Sequence, residues 1–401
     1  MNPAVTDIYQ SLGVARRINA AGTLTRLGGS LMEPEVLQAM VQAATASVDM
    51  AELQTAASKV IARVTGAEAG IVTSGAAAGL TLASAACLAR WDVARMTALP
   101  DTRGMPNEVL MVRTQRNSYD HAIRLAGARI VDIGHNDRGT GAGIRGLEPW
   151  EITAAITPQT VAMVFVATAQ TVHELPAVLQ VVHAHGLPVI VDAAAQLPPR
   201  SNLQRFIAAG ADLVVFSGGK AIGGPQASGI LAGRRDLIGS ALLQMMDMDV
   251  NPTTWSPSDL IDRAALHGVP HHGIGRGFKV GKEEIAGLVC ALKRFVARDE
   301  VASAQALAAR LQAIAAALAA QPGITTRLVP GTELAPIPLL EIDAGAGAAA
   351  LVERLLRGDP PVHVGERMLD AGILTINPQT LRCEDDSVLV RCLLTSLRSP
   401  S

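Results

Sequence analysis

Val189-Ile190-Val191-Asp192 runs directly into Ala193-Ala194-Ala195-Gln196, and 28 residues beyond Asp192 the chain reads Ser217-Gly218-Gly219-Lys220. The first stretch is an apolar, β-branched run that ends on an acid. The second closes another apolar run, Asp212–Phe216, on a glycine-flanked lysine. Continuous apolar runs of this length, bounded by turn residues, read as strands covered on both faces. Leu203–Ala209 between them has helical spacing, and the alternation extends outward. Gly70–Thr73, Glu108–Arg113, Arg129–Ile133 and Val161–Ala167 read as earlier strands, Pro188–Asp192 and Asp212–Phe216 as the central pair, and Gly229–Leu231 as a last one. Ala76–Arg90, His121–Leu125 and Val178–His185 read as helices. The fold class is α/β, with a mostly parallel seven-stranded sheet in a large domain. A glycine-rich loop alone separates the last two strands, which leaves their pairing open. Parallel strands present ligand-binding side chains at their carboxyl ends, so Asp192 and Lys220 belong to one rim.

After about Pro270 the texture changes. A helical segment, Lys282–Ala320, is stopped by Gln321-Pro322-Gly323. Short strands Thr325–Leu328, Pro338–Ile342, Val362–Val364 and Gly372–Ile376 then alternate with helices Ala348–Leu356 and Asp386–Leu397. This predicts a small α+β C-terminal domain. The expected organisation is an N-terminal arm over residues 1–45, a large domain over 46–270 and the small domain over 271–401. The arm carries a turn at Leu27-Gly28-Gly29-Ser30 and a helix starting near Pro34, a residue suited to the first helical position. Its expected place is over the sheet or a neighbouring subunit.

Composition narrows the function. Of 401 residues, 49% are apolar and 17% charged, with 34 Lys+Arg against 36 Asp+Glu and a net charge of −2. That balance offers no basic field for nucleic acid. The positive mean hydropathy comes from alanine. No stretch approaches the ~18 consecutive apolar residues of a membrane span, and the Ala-rich Val301–Ala320 reads as a packing helix. Cys87, Cys290, Cys383 and Cys392 form no CxxC pair. With no signal-peptide core at the N-terminus, they read as free thiols of a cytoplasmic protein. Ten aromatic side chains, 2% of the chain, limit what could grip a flat cofactor.

An acid at one strand end and a lysine after the next match what pyridoxal phosphate chemistry requires. The lysine forms the Schiff base and moves protons, and the acid keeps the pyridine nitrogen protonated. The chain resembles the fold-type I pyridoxal-phosphate enzymes, in the group of selenocysteine synthase and D-glucosaminate-6-phosphate ammonia-lyase. Four segments carry the resemblance: Ile18-Asn19-Ala20-Ala21-Gly22-Thr23; Ala67–Gly79, ending Thr73-Ser74-Gly75-Ala76; Ser217–Lys220 with Gly223-Gly224-Pro225-Gln226; and Gly275–Glu284. It implies Lys220 as the Schiff-base lysine and Asp192 as the partner of the ring nitrogen. Ser74, Gly75 and Ala76 are implied as the phosphate cradle at a helix N-terminus, with Ser217 adding a hydroxyl. Ala194 and Gln196 are implied at the cofactor, Gln196 toward its phenolic oxygen.

Where relatives tend to carry Arg-Gly-His, this chain has Arg113-Thr114-Gln115. Either Gln115 covers the ring with its amide plane, or Tyr119 takes that place. For a substrate carboxylate, Arg382 lies in a region that such enzymes use, and Arg26, Arg116, Arg276 and Lys279 are further cations. The implied active sites form between subunits of a homodimer or larger homo-oligomer.

Other patterns carry less. Gly273-Ile274-Gly275-Arg276-Gly277 is not a dinucleotide fingerprint, since it follows no strand. His183, His185, His271 and His272 lack a carboxylate or Cys partner at ligand spacing along the chain, so no metal site is expected. GxSxG is absent. The resemblance then implies a lyase that takes the α-proton of a small, D- or hydroxy-substituted amino acid and eliminates to a 2-oxo acid and ammonia. A racemase or epimerase is the alternative, with Tyr119, His121 or Glu52 as a second acid or base. A selenium transferase on seryl-tRNA is disfavoured by the charge balance and by the lack of an added tRNA-binding domain.

Overall fold

The computed structural model describes residues 7–135, 147–333 and 335–398. Strands in chain order are β1 (Ile18–Ala20), β2 (Ala69–Thr73), β3 (Glu108–Val112), β4 (Arg129–Ile133), β5 (Thr160–Val166), β6 (Val189–Asp192), β7 (Leu213–Ser217) and β8 (Gly229–Gly233), then β9 (Thr325–Val329), β10 (Leu339–Asp343), β11 (Val362–Met368) and β12 (Ile373–Ile376). Two compact units result: Met32–Ala297, and Met1–Leu31 with Arg298–Ser401.

The larger unit holds a seven-stranded sheet in the order β2-β8-β7-β6-β5-β3-β4. The pairs from β7 through β4 are parallel, and β8 is antiparallel to both β7 and β2. The open question about the last two strands is thereby settled as a hairpin. All five residues of β2, β3 and β8 are buried, as expected of strands covered on both faces. The helix Ala76–Ala89 is buried on nearly every side from Gly79 onward. Its alanines and glycine let it lie close to the sheet, where a Cβ on Gly79 would come 3.1 Å from Val215. Cys87 sits in this helix, and burial pushes its thiol up to about 12. The four cysteines are free thiols.

In the smaller unit the order is β1-β11-β12-β10-β9, with β1 parallel to β11 and the other neighbours antiparallel. Its core joins Ile18, Leu311, Ile314, Leu318, Leu340, Ile342, Val362, Val364, Leu389 and Leu393. In helix Ala348–Arg357, Leu351, Val352 and Leu355 are buried at a helical spacing. By length and composition Glu300–Leu318 could cross a membrane; its Leu311, Ile314 and Leu318 face this core.

Three sequence expectations need correction. The arm is not one element. Ile18–Ala20 is the edge strand of the smaller sheet, and Pro34–Ala44 is a helix of the larger unit. The segment 282–320 is two helices, Lys282–Ala297 and Glu300–Leu318. Between them Asp299 turns its carboxylate onto the Ala302 N–H at 3.0 Å, a strong N-cap that starts a new helix. The boundary expected at 270 lies at Ala297. The helix Lys282–Ala297 belongs to the larger unit because Ile285, Leu288, Leu292 and Phe295 enter its core, and Arg294 pairs with Glu35 at 2.9 Å.

Candidate active site

Ladder register assembles the site at one rim of the larger sheet. Gly229, the first residue of β8, lies between Thr73 on β2 and Ser217 on β7. A Cβ on Gly229 would stand 2.6 Å from the Gly75 carbonyl carbon and 2.8 Å from the Ala76 nitrogen. A side chain there would occupy the space of the Ser74-Gly75-Ala76 turn. Gly75 has φ +128°, and no side chain caps the helix that follows it. Its first-turn N–H groups remain open, which is the donor set that a phosphate dianion needs. Thr73 Oγ1 donates to the Gly75 carbonyl at 2.8 Å and steadies the turn. Ser74 is tied differently from expectation: its hydroxyl donates to the Phe278 carbonyl at 2.7 Å, so its proton is committed there. Ser217 is half-buried beside the same rim.

From Ser217 the chain enters the lysine loop. Gly218 donates to the Ser228 carbonyl, Gly224 to the Gly218 carbonyl and Gly223 to the Lys220 carbonyl, each at 2.9 Å. Gly219 has no room for a side chain, since a Cβ would meet Gln226 Cα at 2.7 Å. Lys220 is thus held by packed glycines and is half-buried. Burial lowers its pKa from the usual amine range, and the charge of Asp192 partly opposes that shift. Asp192, 9% exposed, closes β6. Burial raises its pKa, against the pull of the Ala194 N–H, which donates to Oδ1 at 3.0 Å, and of the Lys220 ammonium. Each group feels the other's charge.

Gln115 is the other buried member. It follows β3 and is 5% exposed, and its Oε1 accepts the Val166 N–H at 2.8 Å. Val166 pairs in register with Asp192, so the Gln115 amide lies at the same rim. Tyr119, the alternative ring cover, is 58% exposed, with its backbone N–H on Asn117 Oδ1. His121 and Glu52 are exposed as well. Gln196 is half-exposed, its carbonyl accepting Asn202 Nδ2 at 2.7 Å.

The cationic candidates are largely spoken for. Arg116 pairs with Asp120 and Asp132, and Arg276 with Asp247 at 2.7 Å. Lys279 is exposed. In the smaller unit, Arg26 lies 3.3 Å from Glu366, and Arg382 is exposed, 3.6 Å from Glu384. The reading of His272 as lacking carboxylates fails in space: Asp247 and Asp249 come within 3.7 and 3.6 Å of its Nε2. The Arg276 guanidinium pairs with Asp247 in that cluster at 2.7 Å. Sequence reasoning missed Gly229, Phe278 and Val166 as parts of the site. Only Gly229 carried a local signal, being the glycine that opens the run after the lysine loop.

These residues fit pyridoxal phosphate: open N–H groups for the phosphate, a lysine of lowered pKa for the aldehyde, a buried acid for the ring nitrogen. Comparisons with known proteins agree. The family described as aminotransferase class-V matches residues 38–356. The chain is 33% identical over 388 residues to the D-glucosaminate-6-phosphate ammonia lyase of Salmonella typhimurium, covering 94% of each. It is also 33% identical over 400 residues to the 5'-C-glycyluridine monooxygenase-decarboxylase of a Streptomyces species, covering 96% of this chain and 90% of the relative. A solved structure of D-glucosaminate-6-phosphate ammonia-lyase superposes with TM-score 0.81 at 31% identity, covering 98% of this chain and 99% of the other.

Proposed function

Because this chain belongs to the class-V aminotransferase family and is therefore a pyridoxal phosphate enzyme, we propose that it is a lyase acting on a small 2-amino-3-hydroxy acid. The α-proton and the β-hydroxyl leave as water, the enamine rearranges to an imine, and one water hydrolyses it to a 2-oxo acid and ammonia. The pairing of Lys220 with Asp192 carries this reading, since it supplies both the nucleophile and the charge partner that elimination needs.

Bound pyridoxal phosphate supplies an electron sink for the charge left at the α-carbon. The chain does the rest. Ser74–Ala76 backbone N–H groups and the Ser217 hydroxyl would hold the phosphate. Burial lowers the Lys220 pKa and so favours its neutral form, the form that would hold the cofactor's aldehyde carbon and take the α-proton. Asp192 would hold a proton on the ring nitrogen. A hydroxyl leaving group at the β-carbon turns proton removal into elimination.

Identity alone ranks the lyase and the monooxygenase-decarboxylase equally. The structural likeness over 98% of this chain supports the lyase. A racemase needs a second acid or base on the opposite face, and Tyr119, His121 and Glu52 are all exposed. For the substrate we look to D-glucosaminate 6-phosphate and related hydroxy amino acids. For assembly we propose a homo-oligomer: Ile8, Tyr9, Leu12 and Val14 are each more than half exposed, apolar surface that a second copy would cover.

The test is to load the protein with pyridoxal phosphate, record its visible band, and add 2-amino-3-hydroxy acids in deuterated water. Oxo-acid and ammonia release, lost in Lys220→Ala together with the band, is expected. Deuterium entering the α-carbon without oxo acid would replace the lyase by a racemase. Oxygen uptake with carbon dioxide release would replace it by a monooxygenase-decarboxylase.

A further inference from the structure

Gln115 has one half of its amide satisfied and the other half not. Its Oε1 accepts the Val166 N–H at 2.8 Å. Because that partner is a donor, the orientation of the amide is fixed: the oxygen faces Val166 and the NH2 group points away from it. Nε2 is buried and has no hydrogen-bond partner among the described residues. A buried donor without an acceptor costs free energy, so each one calls for an explanation, and at the rim of a binding site an incoming ligand supplies one. The place is also informative, because Val166 is the register neighbour of Asp192 on the next strand. An anchored amide therefore carries two unspent N–H bonds at the rim that holds the buried acid.

We propose that Gln115 is a cofactor contact, its Nε2 donating a hydrogen bond to an oxygen of bound pyridoxal phosphate. The Val166 N–H acts as the pivot that aims the amide. Gln115 then stands at the position where the resemblance expects an aromatic cover, and it gives a directed hydrogen bond instead of a stacked ring. The inference rests on the reading of this rim as a pyridoxal phosphate site.

Two variants separate the cofactor contact from a structural role. Gln115→Glu keeps an acceptor for Val166 but removes the donor. Gln115→Met removes both without adding charge. Each is titrated with pyridoxal phosphate, following the visible band, and melted with and without cofactor. Both are expected to bind about tenfold more weakly than the parent, with a shifted band and a smaller gain in melting temperature on loading. If Gln115→Glu binds like the parent, the role is structural and the proposal is overturned. If Gln115→Glu weakens binding but Gln115→Met does not, added charge explains the loss and the proposal is equally overturned. A parent that shows no visible band at all overturns the cofactor reading, and this inference with it.

Discussion

Asp192 and Asp212 stand at opposite ends of the same two neighbouring strands, and they are buried almost equally, at 9% and 7% exposure. Asp212, just before β7, is saturated. Its Oδ2 accepts the Val189 N–H and faces His183 Nε2, both at 2.8 Å, and its Oδ1 accepts Arg234 Nη1 at 3.1 Å. Asp192, at the carboxyl end of β6, has the Ala194 N–H on one oxygen and the charge of Lys220 nearby, and burial still pushes its pKa upward. One carboxylate stitches the amino end of the sheet. The other, in the proposed reading, would meet the protonated ring nitrogen of the cofactor. Equal burial therefore says little about purpose; the partners say most of it.

The largest expected effect is on turnover. Asp192→Asn should lower it by roughly 10²–10³-fold, the range seen when one preorganised polar group of an active site is removed, while the melting temperature stays level or rises. Turnover within threefold of the parent would erase the contrast between the two acids. Asp212→Asn should do the reverse. It should cost about 2 kcal/mol of stability, because an amide cannot serve the Val189, His183 and Arg234 donors together, and leave the visible band of the bound cofactor in place. Denaturant unfolding of the two variants side by side decides the matter.

The cofactor-free chain offers a third probe through pH. Burial lowers the folded-state pKa of Lys220 below the usual 10.5. Between those two values the unfolded chain binds more protons than the folded one, so this contribution to stability rises with pH. The parent should gain stability relative to Lys220→Met as pH climbs from neutral toward 10.5. A pH-independent difference in urea midpoints would show that the amine is not desolvated. The smallest effect belongs to Ser74→Ala. With its proton on the Phe278 carbonyl, the hydroxyl should be worth about 1 kcal/mol of stability, and cofactor affinity should stay within about twofold. A larger loss of affinity would return Ser74 to the phosphate cradle.

Most strands of the large sheet were readable because they are apolar runs bounded by turn residues, the pattern that burial on both faces demands; β4, at the sheet edge, departs from it with Arg129 and Asp132 exposed. The placement of Asp192 at a strand end and of Lys220 in a glycine loop after the next strand was readable because both are local signals. Ile18–Ala20 was not, since three residues are too few for the Ile-Asn-Ala alternation to register as a strand; pairing with Val362–Val364 decides it. The break at Asp299 was written in the sequence as a capping residue and was outweighed by the helical composition around it. The anchoring of Gln115 could not be read, because its partner is a backbone N–H 51 residues away. Arg276 looked available for the same reason, since Asp247 reaches it only through the fold, and Asp132 reaches Arg116 in the same way beside the local Asp120.

The antiparallel turn of β8 has a consequence for how this site can vary. Ser217 and Gly229 are ladder partners, so the segment 218–228 leaves the sheet and returns to it at the same rung. Its closure is already paid by the hairpin, and changing its length adds little entropy cost. The lysine thus rides on a self-contained cartridge clipped to the sheet at both ends. Exchange within it is confined to positions outside the packed Gly218 and Gly219, where a Cβ would collide with Ser228 and Gln226, while the strands beneath keep their register.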